Sequence, residues 1–137
     1  MTKRIPAKDH RNRPLETWNT TTYHSYLTDR NTELFGAPYV PFGKGPLHSR
    51  WLAEKGQLKQ AQEAYGNAVL KRFIDRCLER HKPTEAFPHI NFGFMWSYLR
   101  DELPRAASDV AKEVRAKKLA EQAKANEISD EDFDEWI

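Results

Sequence analysis

The sequence predicts an all-α protein. The expected form is a small helical domain of four to five helices with long Pro/Gly loops, a projecting C-terminal helix and disordered termini. Three observations predict it. Apolar residues recur at helical spacing, most clearly at Leu70, Phe73, Ile74, Cys77 and Leu78. No segment alternates apolar and polar residues over the length of a strand, and no internal repeat is present. Prolines and glycines gather between the periodic segments, where helix cannot continue. At 137 residues there is room for one domain. Aromatics reach 12%, charged residues 31%, and mean hydropathy is −0.85. A fully disordered chain would be poor in aromatics, so these values fit a small aromatic core with polar, mobile ends.

Residues 1–14 read as a disordered basic arm, with Lys3, Arg4, Lys8, Arg11 and Arg13 against Asp9 alone. The first helix follows in "TTTYHSYLTDRNTELFG". One of Thr20, Thr21 and Thr22 serves as its N-cap, Tyr23, Leu27, Arg30 and Leu34 share a face, and Gly36 with Pro38 ends it. "GAPYVPFGKGPLHS" alternates Pro38, Pro41 and Pro46 with Gly36, Gly43 and Gly45, so it is a loop or extended crossing. "SRWLAEKGQLKQAQEAYG" reads as one or two short helices, broken or bent near Gly56 and stopped at Gly66.

"NAVLKRFIDRCLERH" is the clearest helix. Asn67 is its expected N-cap, and Lys71, Arg72, Arg76 and Arg80 lie opposite the apolar stripe. After the proline-marked loop "KPTEAFPHI", "NFGFMWSYLRDEL" presents Phe92, Met95, Trp96, Leu99 and Leu103 on one side. Gly93 weakens its first turn by about 1 kcal/mol relative to Ala, and Pro104 stops or kinks it. The stretch from Arg105 to residue 125 is rich in Ala, Lys and Glu and reads as a basic helix. Its apolar positions, Val110, Val114 and Leu119, are too few for deep burial, so it projects from a domain spanning 15–104.

Several chemistries are excluded by spacing. Gly43-Lys44-Gly45 lacks the upstream glycine and the hydroxyl residue of a nucleotide-binding phosphate loop. The segment reads as a plain turn first, with a backbone-phosphate contact through Lys44 as the lesser alternative. His10, His24, His48, His81 and His89 are scattered, with no partner at zinc-ligand spacing, and read as surface or helix-end residues. Cys77, the only cysteine, reads as a buried core thiol. The carboxylate pairs Asp101/Glu102 and Asp29/Glu33 read as solvated helix faces. No catalytic residue, metal ligand or cofactor site is therefore expected, and the protein is read as no enzyme. The N-terminus has basic residues but no apolar stretch behind them, and no run suits a membrane helix. The cytoplasm is the expected location.

Charge is segregated. The formal net charge is +2, yet Glu127, Asp130, Glu131, Asp132, Asp134 and Glu135 stand without a base in an acidic-aromatic tail over 126–137. Without those six acids the rest of the chain carries +8. The expected nucleic-acid contacts are Lys3, Arg4, Lys8, Arg11, Arg13, Lys71, Arg72, Arg76, Arg80 and Arg100, because such surfaces attract phosphate backbones through counterion release. Phe94 and Tyr98 fall off the core face of their helix and are candidate stacking platforms for single-stranded bases. Asp132, Phe133, Asp134, Glu135, Trp136 and Ile137 are the expected partner contacts: apolar anchors for a pocket, acids for its basic rim.

By composition this tip resembles the acidic, aromatic C-terminal tips of single-stranded-DNA-binding proteins. It lacks their Pro-Phe ending, and the rest of the chain does not resemble their OB-fold. "WNTTTYHSYLTDRNTELFGAPYVPF", "YGNAVLKRFIDRCLERHKPTEAFP" and "FGFMWSYL" look like stretches of small proteins from phage and mobile-element replication regions. That resemblance implies nucleic-acid metabolism and supplies no catalytic residue. The sequence reading is thus a non-enzymatic accessory protein of phage-type DNA replication or recombination. It would bind nucleic acid, taken as DNA, through its basic surface, and a replication, repair or transcription protein through its tip. The alternative is a phage-type inhibitor or adaptor that binds a host polymerase, helicase or nuclease without contacting DNA.

Overall fold

A computed structural model describes the backbone of residues 5–135 and the side chains of residues 5–127. The chain is all-α. A short 3₁₀ turn, Leu15–Thr17, precedes α1 (Thr20–Phe35), α2 (Leu47–Arg80), α3 (Phe92–Tyr98) and α4 (Glu102–Glu135).

α1 is capped by Asn19, one residue before the expected threonines. Asn19 Oδ1 accepts from the Thr22 amide at 3.1 Å, and Thr22 Oγ1 accepts from the Asn19 amide at 3.2 Å, a reciprocal cap. It ends at Gly36, whose φ of 60° is the left-handed conformation glycine adopts without strain. Tyr23 and Leu27 are fully buried, whereas Leu34, expected on the same face, is exposed. Asn31 ties α1 to the loop before α3. Its Oδ1 accepts from the Ile90 amide at 2.8 Å, and its Nδ2 donates to the Leu27 and Ile90 carbonyls.

α2 runs through Gly56 without a break, because one glycine costs a helix only about 1 kcal/mol and tertiary packing overrides it. The bend falls at Gly66, with φ 81° and ψ 164°. Asn67 beyond it clamps three segments. Its Oδ1 accepts from the Tyr23 hydroxyl and Gln62, and its Nδ2 donates to the Leu15 carbonyl. The second arm of α2 buries Leu70, Phe73, Ile74, Cys77 and Leu78, the stripe read from its periodicity.

α4 starts at Glu102, earlier than the expected projecting helix. Pro104 neither stops nor kinks it, because it lies in the first turn, where amides have no intrahelical acceptor. Leu103 and Ala106 are buried against the body, and from Ala111 to Glu127 every side chain is exposed. α4 runs antiparallel to the second arm of α2: Arg80 meets Asp101 and Glu102, Arg76 meets Glu102 and Asp109, and Arg72 meets Glu113.

The N-terminal segment differs from a free arm over its described part. His10 is buried between Trp18 and Tyr26 and bonds Asp29 at 2.7 Å, and Trp18 Nε1 donates to the Arg13 carbonyl. Aromatic burial orders this stretch, which its charge alone does not reveal. His24 is likewise buried, not a surface histidine. Asp29, Glu33, Asp101 and Glu102 are not simply solvated: they hold His10, Arg11 and Arg30, and Arg80, Arg76 and Arg105. Among the described residues no helix is long and apolar enough to cross a membrane, and no three His, Cys, Asp or Glu side chains group as a metal site.

Candidate functional site

The cations expected to face phosphate are mostly engaged within the fold. Lys71 bonds Asp75 at 2.9 Å and lies over the Tyr26 ring at 5.1 Å. Arg76 bonds Glu102 at 2.7 Å and Asp109 at 2.9 Å; these two carboxylates raise its pKa above the ordinary arginine range. Arg80 bonds Asp101 at 2.9 Å, and Arg72 pairs with Glu113. The cause is a register of charges. Arg72, Arg76 and Arg80 recur every fourth residue, and Glu102, Asp109 and Glu113 share one face of α4, so the two rows meet. This face is an interhelical ion lattice, not the open basic surface the sequence suggested.

Elsewhere, Arg11 pairs with Glu33, and Arg13 donates to the Thr17 and Ile5 carbonyls. Arg100 stacks 3.6 Å from the Trp96 ring centroid and donates to its carbonyl. Lys8 remains exposed. Lys3 and Arg4 lie outside the described residues, as do the side chains of Asp132, Phe133, Asp134 and Glu135 and all of Trp136 and Ile137.

A different cluster of basic side chains lines a groove. A groove of about 600 Å³ lies between the Pro/Gly loop before α2 and the loop that joins α2 to α3. Lys44, Arg50, His81, Lys82 and His89 line it, and among the described residues no carboxylate does. Its apolar wall contains Val40, Pro41, Phe42, Ala86, Phe87, Ile90 and Phe94. Glu85 stands between two loop neighbours of the groove but outside its lining. Phe87 is 68% exposed, at a turn closed by the Phe87 amide donating to Thr84 Oγ1. Phe94, Tyr98 and Phe42 adjoin one another. The Phe94 and Tyr98 rings are 5.1 Å apart, and Tyr98 meets Phe42 edge-on at 6.3 Å. The expectation that Phe94 and Tyr98 leave the core therefore holds, with exposures of 39% and 65%.

The groove is built on buried Glu54. Its Oε2 accepts from the Phe42 amide at 3.0 Å and the Gly93 amide at 3.2 Å. Its Oε1 accepts from the Tyr39 hydroxyl and meets His24 Nε2 at 2.9 Å. One carboxylate thus fixes the Phe42 loop and the start of α3 together. Burial, and after it the Glu54 charge, push the Tyr39 hydroxyl well above its ordinary pKa, so it stays a donor. Asn91 adds a second clamp, accepting from the Phe94 amide at 2.9 Å as N-cap and donating to the Val40 carbonyl at 3.0 Å. His89 has its pKa lowered by burial first and by neighbouring His81 second, which favours its neutral form.

Sequence reasoning marked Lys44 and Phe94 but missed Arg50, His81, Lys82, His89 and Phe87 as one group. Their signal was basic and aromatic residues in and beside the two proline-punctuated loops, which only the fold brings together.

No family model, curated protein or solved structure matches this chain.

Proposed function

We propose that this protein is a non-enzymatic accessory protein of nucleic-acid metabolism that holds a single strand in the groove between its two loops. One observation carries the reading: five basic side chains, the exposed rings of Phe87 and Phe94 and the partly buried ring of Phe42 share a cleft that, among the described residues, no carboxylate lines. Backbone phosphates need cations, and unpaired bases need flat apolar faces; a groove offering both suits single strands. A duplex hides its base faces, so the aromatic wall adds nothing to duplex binding.

The assignment to phage-type DNA replication or recombination is supported by the sequence resemblance. Recruitment of a partner protein through Asp132–Ile137 is supported by the acids and apolar anchors of that segment.

The test is fluorescence anisotropy with labelled single-stranded and duplex oligonucleotides across a salt series. Single strands should bind more tightly, with log affinity falling linearly in log salt at about 0.7 per phosphate contacted. Phe87→Ala should weaken single-strand binding roughly tenfold, the equivalent of about 1.4 kcal/mol of lost stacking. Lys44→Glu with Lys82→Glu should abolish it. Binding that ignores salt and both variants would instead favour the adaptor reading, in which the groove receives a protein.

A further inference from the structure

We infer that Arg50 and His81 form an oxyanion subsite in this groove that takes a phosphoryl group. Among the described residues four buried side-chain polar atoms lack a hydrogen-bond partner: His24 Nδ1, Arg30 Nε, Arg50 Nε and His81 Nε2. His24 and Arg30 are anchored through their other nitrogens, on Glu54 and Glu33. Arg50 and His81 have no such anchor. Neither side chain bonds any described residue, and both line the same groove from different elements. A buried nitrogen with no acceptor is costly, and the cost is greatest on a guanidinium. Both residues line one cleft with these nitrogens beneath its surface, and one acceptor-rich ligand that draws the two side chains outward would satisfy them together.

Both side chains are backed by neighbouring residues. The His81 ring meets Phe35 edge-on, with centroids 5.0 Å apart. The Arg50 stem runs beneath Gly43, where an added Cβ would stand 3.6 Å from Arg50 Cγ. Lys44 and Lys82 add positive charge to the same cleft. A planar guanidinium fork matches a phosphoryl group in two-point contact, and the Nε2–H form of His81 donates a further bond. The inference rests on the groove reading above for the larger ligand, a strand whose bases meet Phe87 and Phe94. The phosphoryl chemistry itself does not depend on it.

The test uses the full chain and three probes: inorganic phosphate, a 5′-phosphorylated dinucleotide and a twelve-nucleotide single strand. NMR of the His81 ring and calorimetry are read in parallel, with thermal melts confirming folded variants. Phosphate and the dinucleotide should both shift the His81 ring signals. Arg50→Met should weaken both at least tenfold, Arg50→Lys less, and His81→Leu more than His81→Gln, which keeps a donor.

The proposal is overturned if neither small probe moves His81, or if folded R50M and H81L bind as the native chain does. It is also overturned if a peptide of residues 128–137 shifts His81 while phosphate does not. Phosphate and dinucleotide binding that depends on Arg50, with no strand binding, keeps the subsite and removes the strand reading. Strand binding unchanged in R50M and H81L does the reverse.

Discussion

Gly93 lies directly against Phe42: a Cβ added to Gly93 would stand 2.3 Å from Phe42 Cβ and 2.8 Å from its Cγ. The wall of the groove is therefore in contact with the first turn of α3, and only a hydrogen at position 93 allows that approach. Gly93→Ala should gain about 1 kcal/mol of helix propensity. It should lose more, because inserted core volume typically costs about 1–3 kcal/mol. The expected result is a lower melting temperature together with weaker single-strand binding, as Phe42 is displaced. A melt equal to or above that of the native chain would contradict the contact.

Glu102 is buried, and its carboxylate serves Arg76, Arg80 and Arg105 at once. Removing one partner of a buried ion pair costs about 3–5 kcal/mol; here the arginines are partly in water, so a loss nearer ~2 kcal/mol is expected for Glu102→Ala. Urea unfolding followed by circular dichroism measures it. Groove binding should be unchanged, since the ion lattice and the groove share no side chain.

His89 provides a pH test with opposite signs for stability and binding. Its pKa is lowered by burial and by His81, against the pull of the Val40 carbonyl and Glu54; Lys44, Arg50 and Lys82 line the same groove. The unfolded chain therefore takes up this proton more readily than the folded one. Its stability contribution is complete above 6.5, the ordinary histidine value, and declines as pH falls from there toward the lowered folded value. A bound phosphate favours the protonated ring, so strand affinity should rise over the same interval. Replacing His89 with Gln should flatten both slopes, read by melts and anisotropy between pH 7.5 and 5, a range bracketing about 6.5.

Cys77 is buried in the core, and burial, with the Glu102 charge second, pushes its thiol up to about 12. The thiolate is the reactive form, so the folded protein should resist thiol reagents at neutral pH. Labelling by a chromogenic disulfide reagent should follow the unfolding curve in urea. Rapid labelling without denaturant would show that the second arm of α2 opens locally.

Where periodicity was strong, the fold was legible. The stripe from Leu70 to Leu78 and the exposed pair at Phe94 and Tyr98 appeared as read, although α3 ends at Tyr98 and Leu103, read on its core face, belongs to α4. Gly36 ended α1 because its left-handed conformation is a local property. Local rules misplaced other features. Gly56 breaks nothing, Pro104 sits in a first turn, and Gly93 is required by a neighbour 51 positions away in the chain. The candidate site was the least legible part. Arg72, Arg76 and Arg80 looked like a basic surface because their acid partners lie on another helix.

The chain's own pattern determined that this protein is helical, that its core is aromatic, and that positive and negative charges are unevenly placed along it. Those properties depend on residues within a few turns of one another. Tertiary structure alone decided which cations stay free. Packing α4 antiparallel on α2 neutralises one basic row, while Glu54 ties the Phe42 loop to the start of α3 beside a groove lined by another basic group. Electrostatic partnership depends on distance in space, and separations along the chain do not fix it until the helices are packed.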